Sequence, residues 1–284
     1  MASRANPPEA MNVNSDARSR PPPRAIAWHR STWFETIQFA VLMTLLLLLI
    51  LKGANSMGYQ WKWDKVPQYI YRVIDGELIW GPLMKGLFVT LDIAWWAGLI
   101  AMAIGLVAAL LRLSGSIVGS AISWSYVELI RNTPILVQML IFYFIIAAVL
   151  GIPRQWAGIL CLAFYEGAFT AEIIRGGIVA VRKGQREAAQ SLGFSGFYMY
   201  RDIILPQAVP LMLPPLGGII VNLVKHSSIV SVIAVFDLTT QARTVVSDTF
   251  MAFEIWLTAA AMYLVLTITL SIGVAWLERR YRTA

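Results

Sequence analysis

Six stretches of this chain, 34–51, 87–111, 135–150, 156–174, 211–236 and 256–276, stay apolar over lengths that suit a membrane helix. A hydrocarbon core about 30 Å thick takes roughly twenty helical residues to cross. The stretch at 135–150 is short, and its start can extend back through Tyr126. Barrel strands are excluded, because the runs are too long and lack period-two alternation. Charge is correspondingly scarce. Of the 284 residues, 14% are charged and 58% hydrophobic, with mean hydropathy +0.64, whereas soluble domains carry about a quarter charged residues. The expected fold class is an all-α polytopic membrane protein, with no room for a second globular domain.

The formal charge of +7 does not imply a nucleic-acid partner, because Lys and Arg lie between the apolar runs, where orientation is decided. With the N-terminus inside, the inner segments hold Arg4, Arg18, Arg20, Arg24 and Arg30, then Arg112, Arg131, Arg175, Arg182, Lys183, Arg186, Arg201, Arg279, Arg280 and Arg282. The outer segments hold Lys52, Lys62, Lys65, Arg72, Lys85, Arg154, Lys225 and Arg243, so fifteen basic residues face eight. That asymmetry puts both termini in the cytoplasm. Trp28, Trp33, Trp80, Trp156, Trp256 and Trp276 lie near run ends, where the headgroup zone favours them.

Residues 1–33 read as a disordered cytoplasmic tail, polar and interrupted by Pro21, Pro22 and Pro23. They lack the apolar region and cleavage site of a signal peptide. The proline run also argues against the amphipathic helix of a transit peptide. Residues 34–51 form an extra N-terminal span, 52–83 an extracytoplasmic loop, and 84–280 the core. Cys161 sits inside an apolar run, which excludes a disulfide framework, and His29 and His226 alone make no metal cluster.

The segment between the fourth and fifth runs is anomalous, being basic yet patterned for structure. Over 182–206, Glu187 to Leu192 is a good helix former, and Gly193 stands where a left-handed cap would end it. Ser195 is placed to cap a second short helix running to Leu205 and Pro206. Ala188, Ala189, Leu192, Phe194, Phe197 and Tyr198 give this unit an apolar side with no membrane to bury it, which marks a protein partner.

Here a family resemblance becomes specific. Glu187, Ala188, Ala189, Gly193, Ile203, Leu205 and Pro206 reproduce the EAA…G…I-LP pattern of ABC importer permeases, seven specified positions across twenty residues. Further stretches resemble the polar amino-acid branch of that family: the run from Gly86 to Leu91, the run from Tyr126 through Glu128, Arg131, Thr133 and Pro134 to Gln138, and Ala171 to Ile178 followed by Lys183, Gly184 and Gln185. The resemblance implies a type I ABC importer permease fold, with a five-span core plus the one extra N-terminal span. It implies that the 182–206 loop docks on a cytosolic ABC ATPase dimer. It also implies an extracytoplasmic amino-acid-binding protein, a second permease subunit (the same chain or a homologous one), and residence in a bacterial inner membrane.

Candidate contacts along the substrate path follow from polar residues inside the runs, which normally face a cavity. Glu166 lies mid-run, either touching a substrate amino group or pairing with a neighbouring basic residue. Lys225, His226, Ser227 and Ser228 interrupt the fifth run and either line a cavity or hydrogen-bond between helices. Arg131 either meets a substrate carboxylate through its planar fork or braces the coupling region. Many relatives carry an acidic or amide residue where this chain has His226, which makes a cationic substrate less expected, while Glu166 pulls the other way. The substrate class stops at a polar L-amino acid, with an opine or another small solute as runner-up.

No GxxxxGK[ST] loop is present, so no cofactor is expected in this chain and ATP belongs to the partner ATPase. No catalytic residue is expected. Ser227 beside His226 suggests a nucleophile and base, but adjacent helix positions do not face each other, and no acid lies at a helical spacing from His226. A channel or secondary transporter would explain the runs and leave 187–206 without a purpose. Gly217, Gly218, Pro214 and Pro215 are placed to allow bending or close packing.

Overall fold

A computed structural model describes residues 32–56 and 58–282, in two units that divide after Gln60. The tail expected over 1–33 lies outside the described residues up to position 31. The first unit holds helix α1 (Thr32–Ser56), whose Trp33–Leu49 stretch is apolar but for Glu35, Thr36, Gln38 and Thr44. Its 25 residues extend about 37 Å at 1.5 Å per residue.

The second unit opens with a single 3₁₀ turn (Trp63–Lys65), helix α2 (Pro67–Ile70) and an antiparallel ribbon of β1 (Tyr71–Ile74) and β2 (Glu77–Trp80). Helices α3 (Pro82–Leu113), α4 (Ile117–Arg131), α5 (Ile135–Ile141), α6 (Ala148–Leu150) and α7 (Arg154–Ala180) follow. Then come α8 (Lys183–Ser191), α9 (Gly196–Met199), α10 (Leu205–His226), α11 (Leu238–Thr249) and α12 (Ala252–Arg282). Among the described residues, four helices are long and apolar enough to cross a membrane, at Pro82–Leu113, Arg154–Ala180, Gly196–Ile233 and Ala252–Arg280. A fifth crossing is available if Ile117–Arg131 and Ile135–Leu150 count as one bent pair.

That bend corrects the third expected run. Residues 135–150 form only the second limb, and the first turns away by 107°. Pro134 disfavours helical backbone at Thr133, so the helix breaks there. The break leaves carbonyls without helical partners, and side chains answer them. Gln138 Nε2 donates to the oxygens of Ile130 and Thr133 at 2.7 and 2.9 Å, and Thr133 Oγ1 donates to that of Leu129 at 2.7 Å. Within lipid such groups must be met internally.

The fifth run also begins earlier than expected, because the helix is continuous from Gly196 through a π-turn at Tyr200–Ile204 into α10. Pro206 has no N–H to close an ordinary turn there, and the N–H of Leu205 reaches the Tyr200 oxygen instead. A 3₁₀ segment, Ser227–Ile233, carries the crossing on until Ala234 turns it at φ 56°.

The 52–83 loop is more ordered than its reading as a loop. From Trp61 it packs on the core. Trp61 stacks on Trp63, the Lys62 N–H donates to Glu254 Oε1 at 2.7 Å, and Val66 is buried with Leu83, Leu238 and Ile255. Helix α11 was also unexpected, being too polar to register as a run. Asp237 caps it by accepting from the N–H groups of Thr239 and Thr240. Burial pushes the Asp237 carboxyl above its ordinary range, and those bonds partly offset the shift. Gly86 on α3 rests so close to the Asp237 carbonyl and Leu238 that a Cβ would collide with both. Similar close approaches join Gly105 to Thr170 and Gly217 to Val274. Gly218 meets nothing, so of that pair only Gly217 serves packing.

Candidate functional site

Two regions hold the residues singled out in the sequence. The first is the turn between α7 and α10. Helix α8 ends in a complete Schellman motif: the Phe194 N–H bonds the Ala189 oxygen at 3.1 Å, the Gly193 N–H bonds the Gln190 oxygen at 3.0 Å, and Gly193 takes φ 78°. A side chain at that φ is strained, which is why glycine stands there. Ser195 precedes α9, but its hydroxyl makes no capping bond, contrary to the sequence reading.

The expected apolar side divides in two. Ala189 turns inward, 1% exposed, into a cluster with Ile174, Ile178, Ile204 and Met212, and Ile203 packs against that cluster. Arg186 Nη2 donates to the Ile178 oxygen at 2.8 Å, tying α8 to α7. Leu192 and Phe197 turn outward, 76% and 69% exposed, with Phe194 and Tyr198 beside them. Ala188, Leu205 and Pro206 are exposed, and Glu187 pairs with Lys183 at 3.3 Å on the surface. The result is a short rigid element, fixed from beneath and apolar on top.

The second region lies where α7 faces the end of α10. Glu166, 1% exposed, has its Oε1 2.6 Å from His226 Nδ1. The two come from helices sixty positions apart, so the acid missing at helical spacing from His226 is supplied by another element. The Tyr165 ring meets His226 edge-on at 5.7 Å, and Phe169 lies 5.2 Å from Tyr165. Arg131 does not reach this pair. Its guanidinium sits 5.4 Å from the Phe169 ring centre, a cation–π contact.

The remaining polar residues separate. Lys225 is exposed and lines a cavity of about 350 Å³ with Asn222, Gly218, Ser271 and Glu278. Ser227 is fully buried and its hydroxyl donates to the Val224 oxygen at 2.7 Å, which removes it from any cavity lining. The same bond denies it His226 as a base, so the nucleophile arrangement is not formed. Ser228 is half-buried and donates to the Lys225 oxygen at 2.7 Å. Among the described residues no group of three His, Cys, Asp or Glu side chains could hold a metal.

Sequence reasoning missed the charge cluster at Glu172. Its carboxylate meets Arg175 at 2.7 Å and Arg112 at 3.6 Å. The i,i+3 spacing of Glu172 and Arg175 was a readable signal, whereas the share taken by Arg112, on α3, was not.

Comparison with known proteins fits this arrangement. Residues 101–283 match the family described as "Binding-protein-dependent transport system inner membrane component". The "Probable glutamine ABC transporter permease protein GlnM" of Bacillus subtilis (strain 168) is 49% identical over 157 residues, 55% of this chain and 73% of that protein. The "Glutamine transport system permease protein GlnP" of Escherichia coli (strain K12) is 35% identical over 215 residues, 73% of this chain and 98% of that one. A solved structure described as "Crystal structure of an amino acid ABC transporter with histidines" superposes with TM-score 0.66 at 41% identity, covering 70% of this chain and 94% of that one.

Proposed function

The chain belongs to the family of inner membrane components of binding-protein-dependent transport systems, and from that premise we propose that it is the permease subunit of an ATP-driven importer of polar L-amino acids. Relatives named for glutamine make glutamine the first substrate to test. The observation that carries the reading is the element over α8 and α9. It is anchored through Ala189 and Arg186 and offers Leu192 and Phe197 to a partner. An exposed apolar patch beside basic residues fits a protein groove.

In this reading two cytosolic ATPase subunits bind the ATP, and no cofactor resides in the permease. ATP binding draws the paired α8 elements together and opens the path toward the binding protein's side; hydrolysis resets it. Glu187, Ala188, Ala189, Gly193, Ile203, Leu205 and Pro206 make or support the contact. A second permease copy, the same or a homologue, completes the path, with both termini on the ATPase side. The chain transports and performs no covalent chemistry.

In this reading Glu166 and His226 form the polar centre of the path and Arg131 braces the helix corner, while Lys225 lines a separate groove against α12. Because the carboxylate already faces an imidazole, the centre suits a neutral polar side chain better than a cationic one. The test is affinity purification from membranes with mass spectrometry, followed by glutamine uptake with competition by the other amino acids. Recovery of an ABC ATPase and a competition profile led by polar amino acids are expected. A preparation free of any ATPase would sink the reading.

A further inference from the structure

The ribbon before α3 has no part in the function just proposed. Its register opposes Tyr71 to Trp80, Arg72 to Ile79, Val73 to Leu78 and Ile74 to Glu77. Opposed residues share a face, and the faces alternate along each strand. One face therefore carries Tyr71, Val73, Leu78 and Trp80, all apolar or aromatic and each at least 41% exposed. The other face carries both charges, Arg72 and Glu77, together with the exposed Ile74 and Ile79, so it is mixed where the first is wholly apolar or aromatic. Asp75 and Gly76, at φ 52° and 82°, make the tight turn that holds this register. A lone ribbon is marginal in water, and it has no second layer of its own to bury such a face.

What covers that face follows from Trp80. Its ring meets the Phe88 ring edge-on at 5.8 Å. Phe88 lies six residues beyond Pro82, about 9 Å down the axis of α3. Phe88 is exposed on a side of α3 that continues through the exposed Trp95 and Leu99, in a helix long and apolar enough to cross a membrane. Lys85 stands one turn nearer the helix start on that same side, at the level where a lysine reaches headgroups. The ribbon is held in this pose. The Gly81 N–H bonds the Ile70 oxygen at 2.8 Å, and Gly81 rests directly on the Tyr69 backbone.

We propose that Tyr71–Trp80 is a ribbon lying in the membrane surface. Its Tyr71, Val73, Leu78 and Trp80 face is sunk into the headgroup–acyl boundary of the leaflet at the start of α3. Arg72 and Glu77 face water. The occupant of the apolar face is lipid, because through Trp80 on Phe88 that face joins the exposed apolar side of a helix long and apolar enough to cross a membrane.

The test uses the full chain in vesicles of phosphatidylethanolamine and phosphatidylglycerol, in a Cys161→Ala background. Single environment-sensitive fluorophores are placed at Val73→Cys, Leu78→Cys, Arg72→Cys and Ile79→Cys. Labels at 73 and 78 should be quenched roughly threefold more by a nitroxide on the upper acyl chain than labels at 72 and 79, with the order reversed for aqueous iodide. Equal iodide access on both faces overturns the proposal. So does protection of 73 and 78 from both quenchers, since a protein surface (a binding protein or helix α1) would then be the cover. The unsubstituted chain gives an independent reading. In vesicles with a lipid bearing a diazirine near the headgroup, adducts are expected on residues 71–80, and their absence overturns the proposal whatever the labelled variants do.

Discussion

The α8–α9 element and the Glu166–His226 centre invert one another. The first is placed beyond the apolar runs and exposes Leu192 and Phe197; the second lies within them and buries a carboxylate against an imidazole. Each departs from what its surroundings favour, apolar surface where water is expected and ionisable groups where hydrocarbon is. The supports differ too. Helix α8 is shaped by local backbone geometry and the Gly193 cap, and fastened to its neighbours by the buried Ala189 and the Arg186 bond to the Ile178 oxygen. The Glu166–His226 pair is held by two distant helices meeting, and it exists only if both arrive in register. The element proposed to couple thus owes its shape to short-range structure, and the pair proposed to line the path owes its existence to long-range packing.

The contrast can be broken most severely at the cap. Gly193→Val with Glu187→Lys should lower uptake roughly a hundredfold, because a coupling free energy of a few kcal/mol is lost, while the chain still inserts. Uptake in proteoliposomes beside a membrane-extraction assay measures this, and normal uptake would dissolve the mechanical half of the comparison. His226→Leu comes next. It leaves the Glu166 carboxylate buried without its partner, costing about 2 kcal/mol once the partial exposure of the imidazole is allowed for. Thermal inactivation and the amino-acid competition profile should both shift. Adding Glu166→Gln should restore part of the stability, and strictly additive losses would show that the two side chains do not act as a pair.

A smaller effect is expected on the outer ridge. Phe197→Ser should weaken co-purification of the ATPase about tenfold, as loss of one apolar anchor does at an interface, with no change in thermal stability. A fall in stability instead would mean the ring is structural. The smallest effect should come from Lys183→Ala, which removes a surface ion pair with Glu187 and should leave uptake unaltered within error. Measurable loss there would show that Lys183 itself touches the partner.

The ridge was legible because its determinants are neighbours in the chain. Glu187 to Leu192 forms a helix, Gly193 ends it, and the apolar residues follow within a few positions. Even so, the pattern did not tell that Ala189 turns inward while Leu192 turns outward, since that depends on which side α7 and α10 approach. The ribbon carries a local sign in Asp75-Gly76, a hairpin-turn pair between short β-prone runs, but the surrounding aromatics and charges read equally well as an outer loop. Ser227 looked like cavity lining because hydroxyls in a membrane helix draw attention. Its bond to Val224 shows the other use of such a group, answering its own helix.

Sequence alone determined the membrane character, the helical class and the Gly193-capped helix of the α7–α10 turn, because run length and cap chemistry act within a few turns of one helix. It overcounted the crossings, six runs against four long apolar helices and one bent pair among the described residues. The tertiary structure alone decided that α4 and α5 form a bent pair, that Glu166 finds His226, and that Arg131 turns to Phe169 rather than to either of them. Those outcomes depend on where separate helices touch, and contacts such as Gly105 on Thr170 or Gly217 on Val274 fix that through shape, which no single helix specifies.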